Sequence, residues 1–276
     1  IPTKGHVPPS PEIVEDPVDL ACAGPMARNV EDLELLMSVL APNANPASEM
    51  PSDLSELRAA FWVEEDTFPL GLDCKNAVEK VLKLTRAEGA KVAECRPDID
   101  AEHLIDTYQR LLAPIIFSEN PKPVLGFFRI IRPLLKMMSR GRRYTLTGTL
   151  SKAVQPEAEF RAAKVDRDAM KSECAKFFQQ WDVLIAPVTA TPAPRHNNSG
   201  LLFGRKIDVD GSEVSYLHQF DWIALATTCH LPAAVIPVTK SKQGLPIGIQ
   251  IIGAQGEDLK VLRVARLIEQ KIGLIG

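Results

Sequence analysis

The stretch that decides the fold lies near the end of the chain, where a polar turn separates two apolar runs. The first run is LPAAVIP, residues 231–237, and the second is GLPIGIQIIG, residues 244–253. Both runs are rich in Val and Ile and are bounded by Pro and Gly, a composition typical of buried strands. The residues between them include KSKQG at 240–244, which predicts a short turn. The sequence therefore predicts two buried strands joined by a short loop.

Gln250 is the one polar side chain inside the second run. A buried amide without partners costs about 1–3 kcal/mol. We therefore expect the Gln250 side chain to be buried and hydrogen-bonded to backbone, fixing a loop near the end of the strand.

The rest of the chain alternates predicted helices with predicted strands. Asn29 can cap a helix, and a second helix beginning after Asp73 and closed by Gly89 lies between apolar strands at 59–63 and 91–94, a β–α–β unit. Asp100 can cap a third helix, and longer helical patterns cover 157–180 and about 257–273. This alternation predicts an α/β fold.

Composition narrows the class of protein. A chain of 276 residues suffices for one large or two small domains, and a net charge of −3 argues against general affinity for nucleic acid. The five cysteines are widely separated and contain no Cys-x-x-Cys pair, which favours a reducing compartment, the cytoplasm by default. No metal site is expected, because the five histidines are scattered without metal-ligand spacing.

The chain contains no convincing nucleophile of its own. It has no Gly-x-Ser-x-Gly elbow and no Ser in a Gly-rich setting. Cys229 and His230 are neighbours, but adjacent side chains of an extended segment point to opposite sides, which argues against a thiolate pair. We assign no catalytic residue within this sequence.

Four segments, in order along the chain, carry a resemblance to a known family. They are PTKGHV at 2–7, DPVDL leading into GPMARNVED at 16–32, WDVLIAP at 181–187, and the pair of apolar runs described above. Together they resemble the amidase signature family of C–N hydrolases. This chain departs from the family pattern at two positions. It has Thr227 where the family usually has Asn, and His230 where the family usually has Gly.

The resemblance implies a fold, a chemistry and partners. It implies a single large domain with a mixed central β-sheet covered by helices, of which residues 1–276 are expected to be the C-terminal portion. The family's Lys and two Ser residues lie upstream of the first matched segment, so none can be placed here, and the missing N-terminal part of the same protein becomes the expected partner. The implied substrate is a small-molecule amide, with no metal or organic cofactor. A homodimer is left open.

The segment before the first apolar run supplies candidate substrate-binding residues. In similar amidases this region helps to line the acyl pocket, so Phe220 and Trp222 are candidates for apolar walls, and Asp221 or Thr227 for contacts with polar substrate atoms. A plain core position for Trp222 is an equal alternative.

One segment lies outside the family pattern. Between residues 122 and 152 the chain carries eight basic and no acidic residues, interleaved with many apolar ones. Such a pattern is typical of a basic amphipathic helix on an anionic membrane, of a cleft that attracts anions, or of a core-packed helix with a solvated basic face. The core-packed alternative is favoured, because Pro133 would interrupt a long helix lying on a membrane.

Three functional hypotheses remain. The leading one is the C-terminal part of an amidase that hydrolyses a carboxamide C–N bond through a Ser acyl-enzyme, the chain alone being inactive. The second is an amidotransferase subunit that generates ammonia for a tRNA-dependent partner. The third is a non-catalytic binding or membrane-surface module that keeps the scaffold.

Overall fold

The computed structural model describes residues 2–3, 19–42, 49–140, 142–198, 200 and 202–274. Its strands are β1 Arg58–Phe61, β2 Lys91–Glu94, β3 Val183–Pro187, β4 Lys206–Val209, β5 Ser212–Ser215, β6 Ala233–Lys240 and β7 Pro246–Gly253. Its α-helices are α1 Val30–Leu40, α2 Leu72–Ala87, α3 Ala101–Ile116, α4 Lys122–Ile130, α5 Arg132–Ser139, α6 Leu146–Ala153, α7 Glu157–Gln180, α8 Ala224–Cys229 and α9 Asp258–Ile272. Short 3₁₀ turns occupy Leu54–Glu56, Leu202–Gly204 and Tyr216–Phe220.

Within these residues the central sheet has five strands in the order β2-β1-β3-β7-β6, and β4 pairs with β5 in a separate hairpin. Strand β1 runs parallel to both β2 and β3, whereas β7 is antiparallel to β3 and β6. The predicted β–α–β unit and the predicted pair of buried strands are therefore both confirmed, as is the α/β class with a mixed sheet. Gly244 in the β6–β7 turn has a φ of 82°, which glycine adopts without steric cost.

The sheet is covered on both faces because its strands carry apolar side chains on both sides. Val183 and Ile185 of β3 face the layer that contains α2 and α9, whereas Leu184 and Ala186 face the layer built on α3, α7 and α8. The first layer also holds Ile249 and Ile251 of β7, and the second holds Trp62 and Trp222. The central strands β3 and β7 are thus buried between two helical layers.

Two predicted N-caps are confirmed by their hydrogen bonds. The Asn29 side chain accepts a 2.7 Å bond from the Asp32 amide, and Asp100 accepts one of 2.7 Å from the His103 amide. The predicted start of α2 is wrong by two residues, because the backbone at Gly71 opens the helix and Asp73 lies in its first turn.

The core-packed interpretation of the basic segment is wrong for most of its apolar residues. The segment forms two helices, α4 and α5, that break at Ile131, with Pro133 in the first turn of the second. Only Leu135 is buried in this pair, and Phe127 is exposed. The reason is that the helices pack over α6 on one side and have no covering layer on the other among the residues described.

Across the parts of the chain described here, the structure contains no helix both long enough and apolar enough to cross a membrane.

Candidate active site

An apolar cavity of about 580 Å³ lies where the β6 edge of the sheet meets α1, α8 and α9. This volume is within the range of small-molecule pockets. Its lining includes Met37 of α1, Val261 and Leu262 of α9, and Ala234 and Val235 of β6. Residues 24–27 line one side of it. A cavity of this size can hold the apolar part of a small-molecule substrate.

The segment at residues 2–3 is held against this cavity by hydrogen bonds to the start of α9. The Thr3 amide donates to Asp258 Oδ1 at 2.6 Å, and the Thr3 hydroxyl donates to Asp258 Oδ2 at 2.7 Å. The same Thr3 oxygen accepts a 2.9 Å bond from the Gly256 amide. Pro2 lines the cavity, and its carbonyl accepts a hydrogen bond from Cys22 Sγ. The remainder of the first matched segment, and residues 16–18 of the second, lie outside the described residues.

Gln250 forms part of the cavity's inner wall and is only 2% exposed. Its side-chain amide donates 2.7 Å bonds to the carbonyl oxygens of Pro187 and Trp222. The predicted burial and backbone bonding of Gln250 are therefore confirmed. Through these two bonds Gln250 links the end of β3 to the turn that precedes α8. It therefore fixes the position of that turn relative to the sheet.

Among the four predicted substrate-binding residues, Thr227 is the one that lines the cavity, together with Ile223 and Ala226 of the same segment. It lies in α8, one turn after Ile223, to whose carbonyl its amide donates. A contact between Thr227 and substrate stays a prediction.

Trp222 is fully buried on the far side of the same turn. Its ring packs edge-on against Trp62 and Phe68, at centroid distances of 5.3 and 5.4 Å, and its Nε1 donates to the Pro69 carbonyl. The side chain is thus part of the core, while the main-chain carbonyl reaches Gln250. Trp222 supports the cavity wall from behind.

Asp221 is fully buried and surrounded by hydrogen-bond donors. Its carboxylate accepts bonds from the Tyr144 hydroxyl and from His218 Nδ1, the latter at 2.7 Å, and Arg143 Nη1 lies 3.6 Å away. Because a carboxylate only accepts, the proton of this His218 contact belongs to Nδ1. Burial, with the Asp221 charge second, raises the pKa of Tyr144 and raises that of Tyr108 to about 12, so both phenols stay protonated.

Phe220 is partly exposed at the end of a 3₁₀ turn, where it contacts the ring of Tyr216. The four predicted residues thus lie on one continuous segment, but they point in different directions. Thr227 lines the cavity, Asp221 and Trp222 lie in the interior, and Phe220 lies at the surface. Direct substrate contact by any of them stays a prediction.

A second polar cluster, which sequence reasoning missed, lies beneath the C-terminal end of α8. Lys171 Nζ lies 3.1 Å from His230 Nδ1, and Asp19 accepts a 2.6 Å bond from Arg167 and faces His230 Nε2 at 3.6 Å. Burial, followed by the charge of Arg167, lowers the pKa of Lys171. Cys229 ends a helix rather than lying in an extended segment, and its thiol lies beside Cys174.

Within the described ranges, no three His, Cys, Asp or Glu side chains come together in a way that would hold a metal ion.

Comparison with known proteins agrees with the fold. The family model for amidases matches residues 2–262. A putative amidase from Synechocystis sp. is 25% identical over 286 aligned residues. The alignment covers 98% of this chain and 51% of that protein. A subunit of the glutamyl-tRNA(Gln) amidotransferase from Myxococcus xanthus is 27% identical over 278 residues, 90% of this chain and 54% of that protein. The chain thus spans about half the length of these two relatives.

A solved structure of 6-aminohexanoate cyclic dimer hydrolase, in complex with substrate, superposes with a TM-score of 0.70 at 22% sequence identity. The superposition covers 99% of this chain and 60% of that one. Because the family model spans nearly all of the sequence and the mixed sheet matches structures of this kind, the chain belongs to the amidase family, the amidase signature enzymes.

Proposed function

We propose that this chain is the C-terminal part of an amidase and that it forms the acyl-side wall of a site that hydrolyses a carboxamide C–N bond. The observation that carries the proposal is the 580 Å³ apolar cavity beside β6, with Gln250 in its inner wall and Pro2 at its side. Strand β6 pairs with β7 on one side and with no other strand of the described residues. A further polypeptide that pairs with this edge would close the cavity.

The chemistry follows from the family resemblance. A serine oxygen attacks the amide carbon, the C–N bond breaks, and the amine leaves with a proton delivered by the family's Lys through its second Ser. Water then cleaves the acyl–serine ester and regenerates the hydroxyl. None of these groups is assigned to this sequence, so this chain contributes scaffold and substrate-binding surface.

The position of the Pro2–Thr3 segment supports delivery of the nucleophile to this cavity. In the family the nucleophilic Ser lies upstream of the segment that Pro2 and Thr3 match. Thr3 is fixed to Asp258 and Gly256, so polypeptide that leads into Pro2 would arrive at the cavity wall. We therefore propose that the hydrogen bonds of Thr3 position the catalytic loop.

The lining favours an apolar acyl group over a charged one. Carbon-rich side chains from α1, β6 and α9 dominate the walls, and burying a charge there without a partner would be costly. We propose that Thr227 contacts the polar atoms of the substrate. Asp221 and Trp222 would then act indirectly, by holding the turn before α8, and Phe220 would act at the outer rim.

The test compares this chain with the longer protein that the proposal implies. We expect residues 1–276 alone to show no saturable hydrolysis of an amide or aryl ester and no labelling by a serine-directed fluorophosphonate. The longer protein should show both. In that protein Thr227→Val should raise KM for the amide more than it lowers kcat, whereas Thr147→Val, at an ordinary position in α6, should leave both unchanged. Labelling of the 276-residue chain on one of its own serines would overturn the proposal.

The amidotransferase hypothesis is kept because subunits of this kind, from Myxococcus xanthus and Lysinibacillus sphaericus, match 90% of the chain. Thr227 and His230 depart from the Asn and Gly usual in the family, which disfavours it. Release of ammonia from glutamine that requires a tRNA-binding partner would favour this function over general amide hydrolysis. Absence of any turnover by the longer protein would favour the non-catalytic module.

A further inference from the structure

A polar cavity of about 390 Å³ lies between α3, α5, α6 and the start of α7. Among the described residues that line it, six carry a positive charge, whereas Asp106 and Glu159 carry a negative one. The six cations are Arg110, Arg132, Lys136, Arg142, Arg143 and Lys152. We call this space the basic cavity. None of its lining residues also lines the apolar cavity beside β6, so the two spaces are separate.

Two of the arginines are held in place by the main chain. Arg132 Nε donates a 2.8 Å hydrogen bond to the Ser151 carbonyl, and Arg143 Nη1 donates one of 2.9 Å to the Thr67 carbonyl. Their side chains are only 13% and 14% exposed, respectively. A side chain that is already fixed loses less conformational entropy when a ligand binds. The basic cavity is therefore preorganised for a negatively charged ligand.

Two of the six cations lack a carboxylate of their own. Glu159 is shared by Arg132 and Lys136, and its pKa is lowered, first by the hydrogen bond from Arg132. Arg142 is exposed and makes no side-chain ion pair or hydrogen bond with the residues that the structure describes. The remaining pairs are Arg110 with Asp166, Lys152 with Asp106, and Arg143 with Glu102 and Asp221. Positive charge is thus in excess where Lys136 and Arg142 lie.

The neutral part of the lining limits the rest of the ligand. The neutral side chains among the described lining residues are those of Ser139, Ser151 and Gln155, all of them polar. Nucleobases and acyl chains are usually bound by aromatic or aliphatic side chains, which this lining does not provide. A volume of about 390 Å³ lies within the range of small-molecule pockets. Any organic part of the ligand is therefore small and polar.

We infer that the basic cavity binds a phosphate group, either free or carried by a small hydroxyl-bearing molecule. A phosphate group carries a charge of about −1.5 to −2 and three strong acceptor oxygens. It can therefore meet cations that arrive from several elements, whereas a carboxylate offers one charge and two oxygens. This inference does not depend on the proposed amidase activity.

The donors needed for such a group are present. A guanidinium has five N–H donors in a fork that matches phosphate oxygens. Arg132 uses three of its donors on Ser151 and Glu159, which leaves two, and Arg142 keeps its side-chain donors available within the described part of the chain. Lys136 adds a flexible ammonium group at the same cavity. Together Arg132, Lys136 and Arg142 can contact all the oxygens of one phosphate group.

The experiment titrates the full chain with glycerol 3-phosphate, inorganic phosphate, glycerol and acetate by isothermal calorimetry, at constant ionic strength. We expect saturable binding of a phosphate compound and none of glycerol or acetate. Tighter binding of glycerol 3-phosphate than of inorganic phosphate would identify a phosphomonoester as the ligand. The reverse order would identify free phosphate, and both orders support the site.

Substitutions at the two cations without their own carboxylate locate the binding. Arg142→Gln and Lys136→Gln should each weaken phosphate binding about tenfold, since each removes a charge-assisted hydrogen bond. The double variant should bind no phosphate compound. The matched control is Arg195→Gln with Lys242→Gln, which removes two exposed cations from loops outside the basic cavity. The control should bind as the wild type does, with circular dichroism confirming that every variant is folded.

Chemical labelling tests the location without a substitution. Acetic anhydride should modify the Lys136 amine more slowly when glycerol 3-phosphate is bound, whereas Lys242 in the β6–β7 turn should react at an unchanged rate. Peptide mass spectrometry measures both residues in the same sample.

Three results would overturn the inference. The first is a folded wild-type chain that shows no saturable binding of either phosphate compound. The second is an equal loss of binding in the Arg195→Gln, Lys242→Gln control, which would mean that only the overall charge matters. The third is undiminished binding by the Lys136→Gln, Arg142→Gln variant, which would place the anion elsewhere on the molecule.

Discussion

His230 adopts a left-handed backbone conformation, with a φ of 58°, at the C-terminal end of α8. Helices commonly end in this conformation, but the residue is usually Gly because a Cβ atom is strained there. His230 keeps two side-chain interactions in exchange, one with Lys171 and one with Asp19. The backbone strain at His230 therefore lowers the stability of the fold, whereas the side-chain contacts of the same residue raise it.

Two substitutions separate these effects. Both His230→Ala and His230→Gly remove the imidazole contacts, but only the glycine variant relieves the backbone. We expect the Gly variant to be more stable than the Ala variant by about 1 kcal/mol in urea unfolding. In the exposed interior of α2, Lys83→Gly should instead be less stable than Lys83→Ala by about the same amount. An Ala variant at position 230 that matched the Gly variant would show that the left-handed conformation carries no strain.

At the scale of elements, the start of the parallel pair β1–β3 is held by one carboxylate. Asp182 accepts a 2.8 Å bond from the Arg58 amide and bonds of 3.2 and 2.7 Å from the Arg58 guanidinium, and its own amide donates to the Arg58 carbonyl. Parallel strands lack a connecting turn that would set their register. This bidentate contact supplies that register at the first residue of β1.

The same contact makes stability depend on pH in a defined direction. Burial alone would raise the pKa of Asp182, but the hydrogen bonds from Arg58 outweigh it and the pKa is lowered from 3.8. A carboxylate whose pKa is lower in the folded state than in the unfolded state adds stability to the fold. That stability is present in full above the unfolded-state pKa and is lost as pH falls through the folded-state pKa. Asp182→Asn should therefore cost about 1.5 kcal/mol at pH 7, and the difference from wild type should shrink as pH falls below 3.8.

Urea unfolding at a series of pH values measures this difference. Asp66→Asn serves as the control, because Asp66 is an exposed carboxylate in a turn, without a partner in the described part of the chain. It should change stability by less than about 0.5 kcal/mol at any pH. A cost of Asp182→Asn that stayed constant down to acid pH would contradict the assignment of the contact as ionic.

For the whole molecule, the sequence predicted those features that depend on local pattern. The Val- and Ile-rich runs predicted the β6–β7 hairpin, and Gln250 was found because it interrupts one of them. The hydrogen-bond network around Asp221 could not be found in this way. Tyr144 lies 77 residues before Asp221, and no periodicity links the two residues. The exposure of α4 and α5 was also missed, because helical periodicity shows which residues share a face but not whether another layer covers that face.

The outer edge of β6 gives the last prediction at this scale. An uncovered edge strand leaves its outward amides open to solvent and invites further pairing. If the proposed upstream part of the amidase adds a strand here, outward β6 amides between Ala233 and Lys240 should exchange hydrogen rapidly in residues 1–276 alone and slowly in the longer protein. Amides of β3, buried in the sheet, should be protected in both, which makes them the internal control. Equal exchange of β6 in the two proteins would show that this edge is not where the remainder of the enzyme joins, and the cavity beside it would then have to be closed by something other than an added strand.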